Sequence, residues 1–110
     1  MRKWLAGGLA ASVLLVVGSL AESQTTSLAG VIDFHVHSGP DSRPRSVSDL
    51  EVARIAKRAG MRGLVFKNHF TMTADRAWLA MQEVDGIEIF GGVALNHAVG
   101  GLNAEAVRQL

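Results

Sequence analysis

Asp33-Phe-His35-Val-His37 places two imidazoles two residues apart inside Gly30–His37, a stretch that alternates apolar and polar side chains. Residues i and i+2 of a β-strand lie about 6.5 Å apart and project to the same side. Two imidazoles so placed can converge on one divalent ion, because each nitrogen need reach only about 2.1 Å to it. Asp33 has the same parity, two residues further down the strand. It reads as an outer or structural carboxylate rather than a primary ligand. A lone His-x-His also occurs on ordinary surface strands, so the spacing alone leaves both readings open. The polar face favours ligation, since burying it on a parallel strand costs free energy unless the groups are partnered.

Lys67-Asn-His69 ends a second run of the same kind, Gly63-Leu-Val-Phe-Lys-Asn-His69. Val65, Lys67 and His69 share one parity, and Leu64 and Phe66 the other. Adjacent parallel strands lie about 4.8 Å apart, so His69 can approach an ion held by His35 and His37. The competing reading is a loop histidine beside a capped helix. Lys67 is open to three roles: an anchor for a substrate anion, a bridging ligand if carbamylated, or a simple partner for a carboxylate. His97, after a third apolar run, reads equally as a support of the ligands, a substrate contact or a loop residue. Asp41, Arg43 and Arg45 fall in a polar loop where substrate contacts are common, with solvation as the default. Gly91-Gly92 and Gly100-Gly101 match neither a dinucleotide fingerprint nor a phosphate loop.

The elements needed to position these groups follow from local pattern. Ile32, Phe34 and Val36 form the apolar face of the first strand, with Asp33, His35 and His37 on the other. Ser48 and Glu51 have the spacing of a capping box, with Val47 and Val52 as its apolar staple. Val52, Ile55, Ala56 and Ala59 then mark a helix face that ends at Gly60. Thr73 caps a second helix with Ala74, Ala77, Trp78 and Met81 on its apolar side. A third strand spans Ile87–Leu95, with Gly91-Gly92 as the point where it can break, and Asn103 caps a helix opening at Ala104. The order β-α-β-α-β-α is that of parallel strands joined by crossover helices. The three histidines 35, 37 and 69 then stand at strand carboxyl ends, where parallel α/β folds place their sites.

The fold class expected is therefore α/β: three N-terminal β/α units of a TIM-like (β/α) barrel, preceded by a signal peptide. A complete barrel takes about 250 residues, so residues 30–110 read as a barrel domain truncated at its C-terminus, with activity expected of the full-length parent and not of this piece alone. A small three-stranded domain completed by oligomerisation is the alternative. Residues 1–21 have the Arg2-Lys3 n-region, apolar run and Ser19-Leu20-Ala21 end of a secretory signal. The run is short for a spanning anchor, which needs about 20 apolar residues. Residues 22–29 read as a flexible lead-in. The protein is thus expected to be exported, periplasmic or secreted, from a bacterial source, and free of the membrane once the signal is cleaved.

With 110 residues, 11 Lys+Arg against 10 Asp+Glu and a net charge of +1, the chain gives no basic footprint for nucleic acid. It has no Cys, which excludes disulfides, thiolate zinc sites and a Cys nucleophile. At 48% hydrophobic it is too apolar for intrinsic disorder.

Asp33-Phe-His-Val-His37 at the end of a first barrel strand resembles the opening motif of the amidohydrolase superfamily of metal-dependent hydrolases. The longer pattern, from Asp33-Phe-His-Val-His-Ser-Gly-Pro-Asp41 through Lys67-Asn-His69 to Gly91-Gly-Val-Ala-Leu-Asn96 and Gly100-Gly-Leu-Asn103, is similar to one branch of it. The resemblance implies that His35 and His37 bind metal and that further ligands come from later strands. It implies one or two divalent ions, zinc first, with Mn or Fe as alternatives, and a small-molecule substrate with an amide, ester or lactone-like bond. The same region resembles the polymerase and histidinol phosphatase family of metal-dependent phosphoesterases, which also place a His at the end of the second strand. His69 matches that His, whereas Asn68 stands where that family often has Asp. A barrel that binds ligand without catalysis is the third possibility.

Overall fold

The expected alternation is present in the computed structural model, which describes residues 26–110. Its elements are β1 (Ile32–Val36), α1 (Asp49–Arg58), β2 (Gly63–Phe66), α2 (Ala74–Glu83), β3 (Glu88–Phe90), a 3-10 turn (His97–Val99) and α3 (Ala104–Arg108). The chain is a small α/β unit whose single sheet has the order β1-β2-β3 with both pairs parallel. The signal segment 1–21 and the start of the lead-in lie outside the described residues.

One face of the sheet carries the core. Phe66, Leu64 and Ile89 are buried there against Ala53 and Ala56 of α1 and Ala77 and Ala80 of α2. The sheet supplies bulk and the helices supply small residues, so helix backbones can approach the strands closely. This differs from the helix faces expected from the sequence. Ile55, Ala59 and Trp78 are exposed, and the buried helix positions are taken by Ala53, Ala56, Ala77 and Ala80.

The capping box of α1 forms as expected: the Ser48 side chain accepts from the Glu51 N–H, and the Glu51 carboxylate accepts from the Ser48 N–H at 2.7 Å. Gly60 follows the helix with φ +75°, a conformation that favours glycine. Asn103 caps α3, its carbonyl oxygen accepting from Glu105 and Ala106.

Thr73 stands at the N-cap of α2 as expected but makes no side-chain cap bond. Its fully buried hydroxyl instead donates to the Phe66 carbonyl at 2.8 Å and accepts from the Gly92 N–H at 2.8 Å. Thr73 thereby ties the ends of β2 and β3 to α2. The same closure explains Gly91, where a Cβ would lie 2.6 Å from the Ala74 nitrogen. β3 consequently ends at Phe90, before the two glycines, and is much shorter than the run to Leu95 expected from the sequence.

The β1–β2 ladder slips by one residue. Asp33 pairs with Leu64 and Val36 with Phe66, so three steps on β1 match two on β2. The simple alternation expected along β1 is interrupted by this bulge, and Phe34 is 70% exposed rather than part of the core. Past the bulge, Val36 returns to the buried side and His37 to the open side.

Candidate metal centre

The open side of the sheet carries the imidazoles. His37 lies one residue beyond β1, and the Lys67 N–H donates to the Val36 carbonyl at 2.8 Å, which continues the ladder past both strands. The segment bearing His69 follows at once. Its path is set by Asn68, which is buried and whose carbonyl oxygen accepts from the Phe70 N–H at 2.9 Å and the Thr71 N–H at 3.2 Å. The Asn96 amide donates to the His69 carbonyl from the loop after β3. Asn68 and Asn96 therefore fix His69 through its backbone.

The His69 and His37 rings stack with centroids 4.7 Å apart and planes 14° from parallel. On the other side, His37 Nε2 lies 3.2 Å from His35 Nε2. Two nitrogens on one tetrahedral ion at about 2.1 Å are about 3.4 Å apart, so this separation suits a shared ion. The His37 Nδ1 lies 3.8 Å from Asp41 Oδ2.

Asp41 owes its place to the closure of its loop. The Gly39 N–H donates to the Val47 carbonyl at 2.8 Å, and the Asp49 N–H donates to the Gly39 carbonyl at 2.9 Å. These bonds pinch the neck of the loop and turn Asp41 inward, where its carboxylate has no solvent exposure. Arg45 Nε donates to Asp41 Oδ2 at 2.7 Å, and Arg45 Nη2 lies 2.5 Å from the same oxygen. The same Nη2 donates to His37 Nδ1 at 3.3 Å. Because a guanidinium only donates, Nδ1 must accept, which leaves the proton of neutral His37 on Nε2 facing His35. A cationic group thus already bridges His37 and Asp41.

Electrostatics favours ligand protonation states. Burial is the main cause holding His37 below the usual imidazole range, aided by Arg45, His69 and His35 and opposed by Asp41. Its neutral form has the single lone pair that metal ligation requires, here at Nδ1 and accepting from Arg45, so an ion would take the place of that guanidinium contact. Burial would raise Asp41, but hydrogen bonds from Arg45 and from the Ser42 N–H and hydroxyl outweigh it and bring the carboxyl down to about 2. A depressed carboxylate stabilises the fold above its unfolded value and loses that contribution as pH falls through its folded one. The stability difference between wild type and Asp41→Asn, followed by urea unfolding, is therefore expected to shrink between 3.8 and about 2. A difference constant across that range would contradict the assignment.

His37, Asp41 and His69 form a group whose ligand atoms all lie within 4.8 Å of one another. Two imidazoles and a carboxylate match the donor chemistry of an open divalent-metal site, so the residues present fit such an ion. His35 touches His37 but lies outside that three-residue group. Asp33 turns its carboxylate to the His35 N–H at 2.9 Å. His97 is exposed on the 3-10 turn, and no hydrogen bond or ring contact among the described residues joins it to the cluster. Asp41 is the member that sequence reasoning left in solvent. Its i,i+4 spacing to both His37 and Arg45 was the available signal.

The fold and site define a parallel α/β protein with a candidate metal-binding cluster at the carboxyl ends of its strands. The chain belongs to a family of unknown function, DUF6282, whose model matches residues 30–110. No curated protein and no solved structure matches it.

Proposed function

We propose that the protein is a metal-dependent hydrolase of the amidohydrolase type, with residues 30–110 forming the first three β/α units of a TIM-like barrel. The observation that carries this reading is the convergence of His37, Asp41 and His69, with His35 adjoining, at the carboxyl ends of parallel strands. A divalent ion, zinc first, supplies Lewis acidity and acidifies water, the chemistry needed to open an amide, ester or lactone-like bond. His37 and His69 would hold the ion through ring nitrogens and Asp41 through its carboxylate, with His35 as a further ligand. Arg45 keeps Asp41 ionised and aimed at His37, and Asn68 and Asn96 hold the His69 backbone. The substrate is a small molecule, and the Arg2-Lys3 segment with its apolar run marks the protein for export.

A metal-dependent phosphoesterase is the second reading, favoured by one observation: His69, at the end of the second strand, stacks on His37. Hydrolysis of p-nitrophenyl acetate, a γ-lactone and p-nitrophenyl phosphate by the zinc-loaded protein with its barrel complete, before and after chelation, tests both. Ester or lactone turnover abolished by chelation is the expected result. Phosphate-ester turnover alone would replace it with the second reading. No turnover, with ligand binding indifferent to chelation, would leave a binding protein.

A further inference from the structure

Three basic side chains among the described residues are half-buried: Arg45, Lys67 and Arg76. Arg45 is paired with Asp41, and Arg76 with Asp49 at 2.7 Å. Lys67 makes no ion pair and no side-chain hydrogen bond to any described residue. A partly desolvated ammonium without a counter-charge is unfavourable, and the other two cations show how this fold treats that situation. Its position is as specific as its lack of a partner. The bond from its N–H to the Val36 carbonyl sets it beside His37 across the ladder, and His69 lies two residues further on. Its Nζ is 4.0 Å from where a Cβ on Gly92 would stand, so the ammonium leans across the end of β3, over a residue without a side chain.

We propose that Lys67 anchors an oxyanion of the substrate, a carboxylate or a phosphate, beside the His37–Asp41–His69 cluster. This deepens the hydrolase reading, on which it rests, by assigning the site an anionic substrate class. The carboxylate partner that Lys67 could have had within the fold does not occur among the described residues. A ligand oxyanion bound beside the cluster would supply that charge. Lys67 gives three rotatable donors and a point charge, which suits either oxyanion without fixing its geometry.

Calorimetric titration of the zinc-loaded protein with inorganic phosphate and, separately, with acetate tests the proposal in wild type, Lys67→Gln and Lys67→Arg. Zinc stoichiometry is measured on the same samples. The expected result is anion binding weakened about tenfold or more in Lys67→Gln, the size of a lost charge-assisted hydrogen bond. Lys67→Arg should retain most of it, and zinc stoichiometry should be equal in all three. Stronger binding of phosphate than of acetate would assign a phosphate-bearing substrate, and the reverse a carboxylate. Equal anion affinity in wild type and Lys67→Gln would overturn the proposal. Absence of zinc from the wild type would instead overturn the metal reading, which the stoichiometry reports independently.

Discussion

Replacing His37 by alanine is expected to weaken zinc binding by more than about 100-fold, since even residues that only support metal ligands are worth 10–100-fold. His37 is central because both ring nitrogens and one ring face have partners. Nε2 faces His35 at 3.2 Å, Nδ1 faces Asp41 and Arg45, and the ring plane stacks on His69. Asp41→Ala should weaken binding comparably, because it removes the carboxylate that completes the three-residue group. Competition against a chromophoric chelator measures both. His97→Ala serves as the comparison and is expected to leave affinity unchanged, as His97 lies apart from the cluster. Equal losses in His37→Ala and His97→Ala would mean that metal binds non-specifically to histidines.

Asp49→Ala is expected to destabilise the fold by about 3 kcal/mol, the lower end of the range for breaking a buried ion pair by removing one partner. Asp49 accepts from Arg76 Nε at 2.7 Å and Nη2 at 2.8 Å, and from the Ser38 hydroxyl at 2.6 Å. Ser38 is fully buried, and Arg76 Nη2 also donates to its carbonyl at 3.2 Å. One carboxylate at the start of α1 thus joins the end of β1 to α2. Removing it leaves a guanidinium and a hydroxyl without their acceptor in a desolvated place. Urea unfolding of Asp49→Ala, Arg76→Ala and the double variant Asp49→Leu/Arg76→Met provides the test. The double variant should recover much of the loss, because an apolar pair leaves nothing unsatisfied. Single losses well under 1 kcal/mol would class the contact with ordinary surface ion pairs. Since Ser38 directly follows His37, Asp49→Ala should also loosen zinc binding.

The features legible in the sequence are those set by neighbours along the chain. The Ser48–Glu51 box, Gly60 after α1 and Asn103 before α3 depend on contacts within four residues, and each occurs as the spacing indicates. The burial of Asp41 depends on the Gly39–Val47 and Gly39–Asp49 bonds, which close a loop that looks solvated when read locally. Thr73 carries the sequence signal of an N-cap, yet its hydroxyl is taken by strand ends 7 and 19 residues away. The slip between Asp33 and Val36 exists only in the pairing with β2 and leaves no mark in the composition of β1. Ile55 and Trp78 are exposed, and the buried apolar positions of α1 and α2 hold alanine instead.

X-ray absorption at the zinc edge of the metal-loaded protein addresses the cluster most directly. A centre built on His37, Asp41 and His69 gives a nitrogen and oxygen shell at about 2.0–2.1 Å, with the outer-shell scattering of at least two imidazoles. That imidazole signal should fall in His37→Ala. An all-oxygen shell without imidazole scattering, identical in wild type and variant, would contradict a metal centre at this site.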